Sequence, residues 1–271
     1  MEGAEAAASD DEVLRSIVGH LNETLPHRRL RIVDAGCGRS SQLPIAREVE
    51  ITGIDLDEDA LQARLRTSQD LDHAILGDVR DGALIAPGSA DLVISRYVLE
   101  HVCDVERAFA NLARWVAPGG LVVVQIPDRR SAYGYLARRT PHRLHVWYYR
   151  TVLRRPHAGE PGRHPYRVVY EPAIGRGGIR ALCERHGLVL RREYVVDDLA
   201  LRRGPEWTLI RTGLRLLSRL SGHRLTARHN NLAYVLERPK RDPAPSQSDP
   251  PRDAVDTDRP TGSAPPRGTG G

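Results

Sequence analysis

The sequence predicts an α/β chain: a seven-stranded, mostly parallel sheet with helices on both faces, and helical insertions after the fifth strand and before the last. Three observations predict it. Short apolar runs of strand length alternate with stretches of helical periodicity, which calls for parallel strands joined by right-handed crossovers. The first run, Arg31-Ile-Val-Asp-Ala-Gly-Cys-Gly38, ends in an acidic residue and a glycine turn. The second, Ile51-Thr-Gly-Ile-Asp55, ends in a carboxylate nineteen residues past Gly36. Strand ends of this kind build a nucleoside-cofactor cleft at the carboxyl edge of a parallel sheet.

In chain order, Val13, Leu14, Ile17, Val18 and Leu21 fall at helical spacing within 11–25, with Asp10 as N-cap. Strand 30–33 follows, then a helix over 41–49 and strand 51–54. Asp57 and Asp59 precede helix 60–67, where acidic residues complement the dipole. Strand 73–76 runs into Gly77 and Asp78, and strand 90–95 comes next. Asp104 is placed to cap a helix running through Val116, which stops at Ala117-Pro-Gly-Gly120 before strand 121–126. Residues 129–172 break the rhythm; helix 173–186 and strand 188–196 restore it. A basic helix over 205–220 and a last strand over 232–237 complete the fold.

The expected domain is 11–239, with 129–172 and 201–228 as insertions. Residues 1–10 and 240–271 are read as disordered ends, because they hold few apolar side chains to bury. At 271 residues, 40% apolar and 28% charged, the chain suits a soluble globular protein. No apolar run approaches the ~18 residues of a membrane span. The acidic N-terminus does not read as a secretory signal, so the cytoplasm is the expected location. Cys37, Cys103 and Cys183 are odd in number and far apart, which argues against a disulfide framework or a cysteine metal site; no metal is expected.

Gly36 and Gly38 let the backbone turn sharply and let a ligand approach, since neither has a Cβ. The N–H groups that follow favour a polar or anionic group. A nicotinamide site would want a third glycine at position 41, where Ser41 stands. A carboxylate such as Asp55 can accept two hydrogen bonds from vicinal hydroxyls, and Asp78 can accept from an exocyclic amine. Taken singly, either is equally well a strand-end turn residue.

The pattern Asp34-x-Gly36-x-Gly38 resembles motif I of the class I S-adenosylmethionine-dependent methyltransferases, which have a Rossmann-like sheet. The resemblance continues in order over residues 30–127. It implies that Asp34, Gly36, Cys37 and Gly38 form the cofactor loop. It implies that Asp55, with Leu56 beside it, binds the ribose hydroxyls, and that Gly77-Asp78-Val79 meets the adenine. Ala90-Asp-Leu-Val-Ile-Ser-Arg-Tyr-Val-Leu-Glu-His-Val102, which contains Ser95, is similar to the fourth-strand segment of the small-molecule subfamily. Ala117–Val124 resembles the turn into the fifth strand. The family often has glycine where Ser40 stands here. The implied cofactor is S-adenosyl-L-methionine and the implied reaction is methyl transfer to a small-molecule or lipid-like acceptor. A non-catalytic module that keeps the cleft is the alternative.

His101 is the candidate general base at the reacting edge, against the plainer reading of a solvated histidine at a helix start. The acceptor would be set by the insertions. Residues 129–170 hold seven of the thirteen aromatics and ten Arg residues against one acid, Glu160. The 201–228 stretch carries seven Arg and only Glu206. Three readings compete: a lid over a small-molecule pocket, a peripheral membrane-surface contact through 129–170 and 202–228, and nucleic-acid binding through Arg and stacking aromatics. The last is disfavoured, since no RNA-binding module is recognisable. The Arg residues equally suit an acidic acceptor, a carboxylate or phosphate.

Overall fold

The computed structural model describes residues 4–7, 9–24, 29–40, 48–151, 154–160, 165, 168–169 and 171–240. Eight strands form one sheet: β1 (Ala4–Ala7), β2 (Leu30–Ala35), β3 (Val49–Asp55), β4 (His73–Leu76), β5 (Ala90–Arg96), β6 (Val116–Pro127), β7 (Val189–Val196) and β8 (Asn231–Glu237). Their order is β1-β7-β8-β6-β5-β2-β3-β4. Every pairing is parallel except those of β8, which runs antiparallel between β6 and β7. From β2 the chain proceeds outward to β3 and β4, then returns to lay β5 and β6 on the other side. The carboxyl ends of β2 and β5 therefore part at a topological switch point, where ligands of open α/β sheets bind.

Helices α1 (Asp10–Thr24), α2 (Glu58–Thr67), α3 (Val105–Trp115) and α6 (Arg176–Arg185) alternate with the strands. Alternate residues of each strand feed two cores, as a period of two dictates. Ile32, Leu92, Ile94, Leu121 and Val123 pack with Val13, Ile17 and Leu21 of α1 on one face. Val33, Val93, Val122 and Val124 pack with Phe109 and Leu112 of α3 and Ile179 and Leu182 of α6 on the other. Helices α4 (Ala132–Arg139), α5 (His142–Thr151) and α7 (Pro205–Leu220) belong to the insertions. Leu214 of α7 and Ala132 of α4 share a third, small cluster with Leu199.

Several expectations need correction. Residues 4–7 are not disordered: they form an eighth, edge strand in register with Glu193–Val196 of β7, and Ala7 is buried against the α1 face. Pairing the open backbone edge of β7 is what orders them, and no apolar alternation announces it. The first helix is capped by Ser9, whose Oγ accepts from Glu12 N, and Asp10 lies inside its first turn. Asp104 adopts a left-handed conformation (φ 59°) and makes no side-chain cap. The carboxylate of Glu171 accepts from the N–H groups of Asp104 and Val105 instead, at 2.6 and 3.2 Å. The helix expected from 173 begins at Arg176, because Gly175 is extended. Most of the helix expected over 41–49 lies outside the described residues, and Val49 opens β3. Of the expected tail, only Lys240 is described.

Candidate active site

The turn after β2 is a cradle that a side chain would fill. Gly36 and Gly38 sit at φ 77° and 60°. A Cβ on Gly36 would lie 2.2 Å from Cγ2 of Val98, so a side chain there would force Val98 aside. The N–H groups of Gly36 and Cys37 donate to the carbonyl of Ile54 at 2.8 and 2.9 Å, which ties the turn to the end of β3. Cys37 is buried, and that burial pushes its thiol up to about 12, so it acts as a small apolar filler.

Asp55 leads from β3 into the cleft. One carboxylate oxygen accepts from Gly38 N at 2.7 Å and the other from Asp57 N at 2.9 Å. A carboxylate has about four lone-pair positions, so two remain for a diol. Leu56 presents an apolar side chain, 68% exposed, to the same cleft.

Behind the turn lies a residue that sequence reasoning missed. Arg64 of α2 is fully buried. Its guanidinium donates to Asp34 at 2.7 Å, to the Cys37 carbonyl at 2.8 Å and twice to Asp70 at 3.0 and 2.9 Å. Asp34 is thus spent on holding the glycine turn. In the sequence Arg64 is one more polar position on an amphipathic helix, with nothing to set it apart.

The cleft has a volume of about 960 Å³, within the range of small-molecule sites. The end of β2 contributes Asp34, Gly36, Cys37 and Gly38; the end of β3, Asp55, Leu56 and Asp57; the end of β4, Gly77 and Val79. Beyond β5 the wall consists of Arg96, Tyr97, Val98, His101 and Val102. Two expected site residues are not on this wall. Asp78 turns to Arg80, whose Nε lies 3.0 Å from each carboxylate oxygen, and this pair holds its carboxyl below the ordinary value. Ser95 is buried inside β5.

His101 closes a short 3-10 turn and is about a quarter exposed, with Nε2 3.8 Å from the Glu100 carboxylate. Burial pushes Glu100 up to about 8, so at neutral pH it is a neutral acid beside His101. Tyr97 has a left-handed backbone (φ 57°), a strained state for a tyrosine. Its hydroxyl lies 2.8 Å from Asp10 and 3.4 Å from Asp198, and accepts from Asn231 Nδ2 at 2.9 Å. Burial, reinforced by Asp10, pushes Asp198 up to about 6. This network fastens α1 and the segment after β7 to the reacting edge.

The remaining wall comes from the first insertion. Residues 154–158 run along the cleft as a strap. Arg150 Nε donates to the Ala158 carbonyl at 2.8 Å, Arg155 N donates to the Tyr149 carbonyl at 3.0 Å, and the Arg155 guanidinium stacks 5.8 Å over the Tyr149 ring. Residues 154–158 of the first insertion therefore line the same cleft as the glycine turn.

The family model for the methyltransferase domain matches residues 9–169, more than half of the chain. The chain belongs to the class I S-adenosylmethionine-dependent methyltransferases. It is an enzyme of that family, and S-adenosyl-L-methionine is its cofactor. It is 30% identical over 182 residues to a ubiquinone biosynthesis O-methyltransferase of Caulobacter sp. (strain K31), covering 60% of this chain and 72% of that one. It is 36% identical over 102 residues to a trans-aconitate 2-methyltransferase of Acidovorax sp. (strain JS42), covering 36% and 38%. The fold is similar to that of a candidate sarcosine dimethylglycine methyltransferase from Galdieria sulphuraria, with a TM-score of 0.53, 16% identity, and coverage of 84% and 85%. The methyltransferase cleft, with its glycine cradle and the open lone pairs of Asp55, fits a nucleoside donor of this kind.

Proposed function

We propose that this methyltransferase moves a methyl group from S-adenosylmethionine to a small-molecule or lipid-like acceptor seated between the end of β5 and the 154–158 strap. The observation that carries the reading is the cleft at the β2–β5 switch point, walled by the cofactor loop on one side and by the insertion on the other. When bound, the donor supplies an electrophilic methyl on a sulfonium. Asp55 would hold the ribose hydroxyls through its two open lone-pair positions. Leu56 and Val79 would flank the base. His101 would take the proton of a hydroxyl or amine acceptor, and the strap would exclude water. A cytoplasmic location is part of this reading; no described helix is long and apolar enough to cross a membrane.

Calorimetric titration with S-adenosylmethionine and S-adenosylhomocysteine tests the cofactor assignment, and absence of heat with both would sink it. Asp55→Ala should weaken either ligand by at least tenfold, since hydrogen bonds to a charged group contribute about 1.5–3 kcal/mol each. Turnover on an extract of candidate acceptors separates catalysis from mere binding.

A second reading rests on α7. Leu209, Leu216 and Leu220 are 75%, 55% and 76% exposed on its outer face, with Arg215 and Arg219 beside them. Apolar side chains flanked by cations suit an anionic lipid surface. Co-sedimentation with phosphatidylserine vesicles should drop when these three leucines are changed to Ser. Unchanged binding would remove this helix as the contact.

A further inference from the structure

We infer that Arg154 and Arg155 bind an oxyanion of the methyl acceptor, a carboxylate or a phosphate. The inference rests on the methyltransferase reading and adds the substrate class. The cleft's charges are segregated. Its acids stand at the ends of β2 and β3, where Asp34 is paired with Arg64, Asp55 accepts from the N–H groups of Gly38 and Asp57, and Asp57 accepts from the N–H of Ala60. Its arginines are Arg39, Arg96, Arg154 and Arg155, the last two on the strap.

The strap cannot neutralise itself. Residues 129–170 contain one acid, Glu160, and it contacts His157 at 3.2 Å. Among the described residues, neither Arg154 nor Arg155 has a carboxylate partner. Arg155 is held by its stacking on Tyr149, and Arg154 sits in a left-handed conformation (φ 51°). Backbone strain of this kind persists where the surroundings impose it. The cofactor brings one carboxylate, enough for one guanidinium fork. A concave site that holds the two strap arginines concentrates an anion and selects it over a neutral molecule of the same shape. Guanidinium is the group suited to gripping a carboxylate or phosphate by two parallel bonds.

The test uses the full chain saturated with S-adenosylhomocysteine and two matched pairs of probes, benzoate with benzamide and phenyl phosphate with phenol. Calorimetry should give at least a tenfold preference for one anionic member over its neutral partner. The preference should fall below threefold in R154A/R155A and return in part in R154K/R155K. Affinity for S-adenosylhomocysteine should stay within threefold of the parent chain in both variants. A preference confined to benzoate marks a carboxylate acceptor, and one confined to phenyl phosphate marks a phosphate. Equal binding of both members of each pair, no binding of either anion, or a preference that survives in R154A/R155A would overturn the inference. So would loss of S-adenosylhomocysteine in R154A/R155A, which would give these arginines to the cofactor. Failure of the parent chain to bind S-adenosylhomocysteine at all would strike the methyltransferase reading instead.

Discussion

Replacing Arg64 by Met should cost this fold more than any surface arginine, and should damage the cofactor loop with it. The side chain is fully buried and gives four hydrogen bonds, three to the carboxylates of Asp34 and Asp70 and one to the Cys37 carbonyl. Met fills similar space and offers no donor. Removing one partner of a buried ion pair costs about 3–5 kcal/mol, because the remaining charge is left without compensation. At roughly 2–4 °C per kcal/mol for a chain of this size, the melting temperature should fall by about 6–20 °C. Asp34 is 2% exposed, so it cannot recover the loss from water. The assay is thermal unfolding by circular dichroism, with S-adenosylhomocysteine titrated into the same samples. Its affinity should drop at least tenfold, since the Cys37 carbonyl anchors the glycine turn. Adding Asp34→Asn and Asp70→Asn to Arg64→Met should recover part of the lost stability by removing the stranded charges. A fall of less than 2 °C, or no recovery in the triple variant, would refute the reasoning.

Three further outcomes follow from the same structure. Glu100 has a folded pKa raised by burial from 4.5 to about 8, so the folded chain holds its proton more tightly than the unfolded chain. Its contribution is intact below about pH 4.5 and is lost as pH rises to about 8, at roughly 1.4 kcal/mol per pH unit and up to about 5 kcal/mol. Glu100→Gln should flatten that part of the stability profile in urea titrations at successive pH values; an unchanged slope would show that Glu100 ionises normally. Glu171→Ala should destabilise the fold by about 1–2 kcal/mol through loss of the α3 cap, and Glu171→Gln by less; equal stability by denaturant titration would dismiss the cap. Gly36→Ala should weaken S-adenosylhomocysteine at least tenfold through the collision with Val98, with partial recovery in the double variant carrying Val98→Ala. Full affinity in the single variant would mean the loop yields.

The inner strands were legible where both faces are covered, and the edge strand β4 was legible as well, at its observed bounds. The stretches 92–94 of β5 and 121–124 of β6 are apolar without interruption because each side chain enters one of two cores. Helix α7 was legible to the residue, from Pro205 at its start and its leucine spacing. Asp55, Gly36 and Gly38, expected together at one strand edge from their spacing, do line one cleft. β1 was not, since Ala4–Ala7 has no apolar alternation and is ordered by the open edge of β7. Glu171 could not be assigned to α3, because 66 and 67 residues separate it from the N–H groups it caps.

By itself, then, the sequence determined seven of the eight strands through local periodicity, and the likeness of its motifs to the methyltransferase family named the methyl donor. Only the tertiary structure decided which polar residues face the cleft. It turned Asp78 to Arg80 and buried Ser95, and it spent Asp34 on Arg64. It also brought the 154–158 strap, far downstream in the chain, to the same cleft as the glycine turn. Burial and pairing depend on neighbours distant in the chain, and a side chain's chemistry is set by those neighbours.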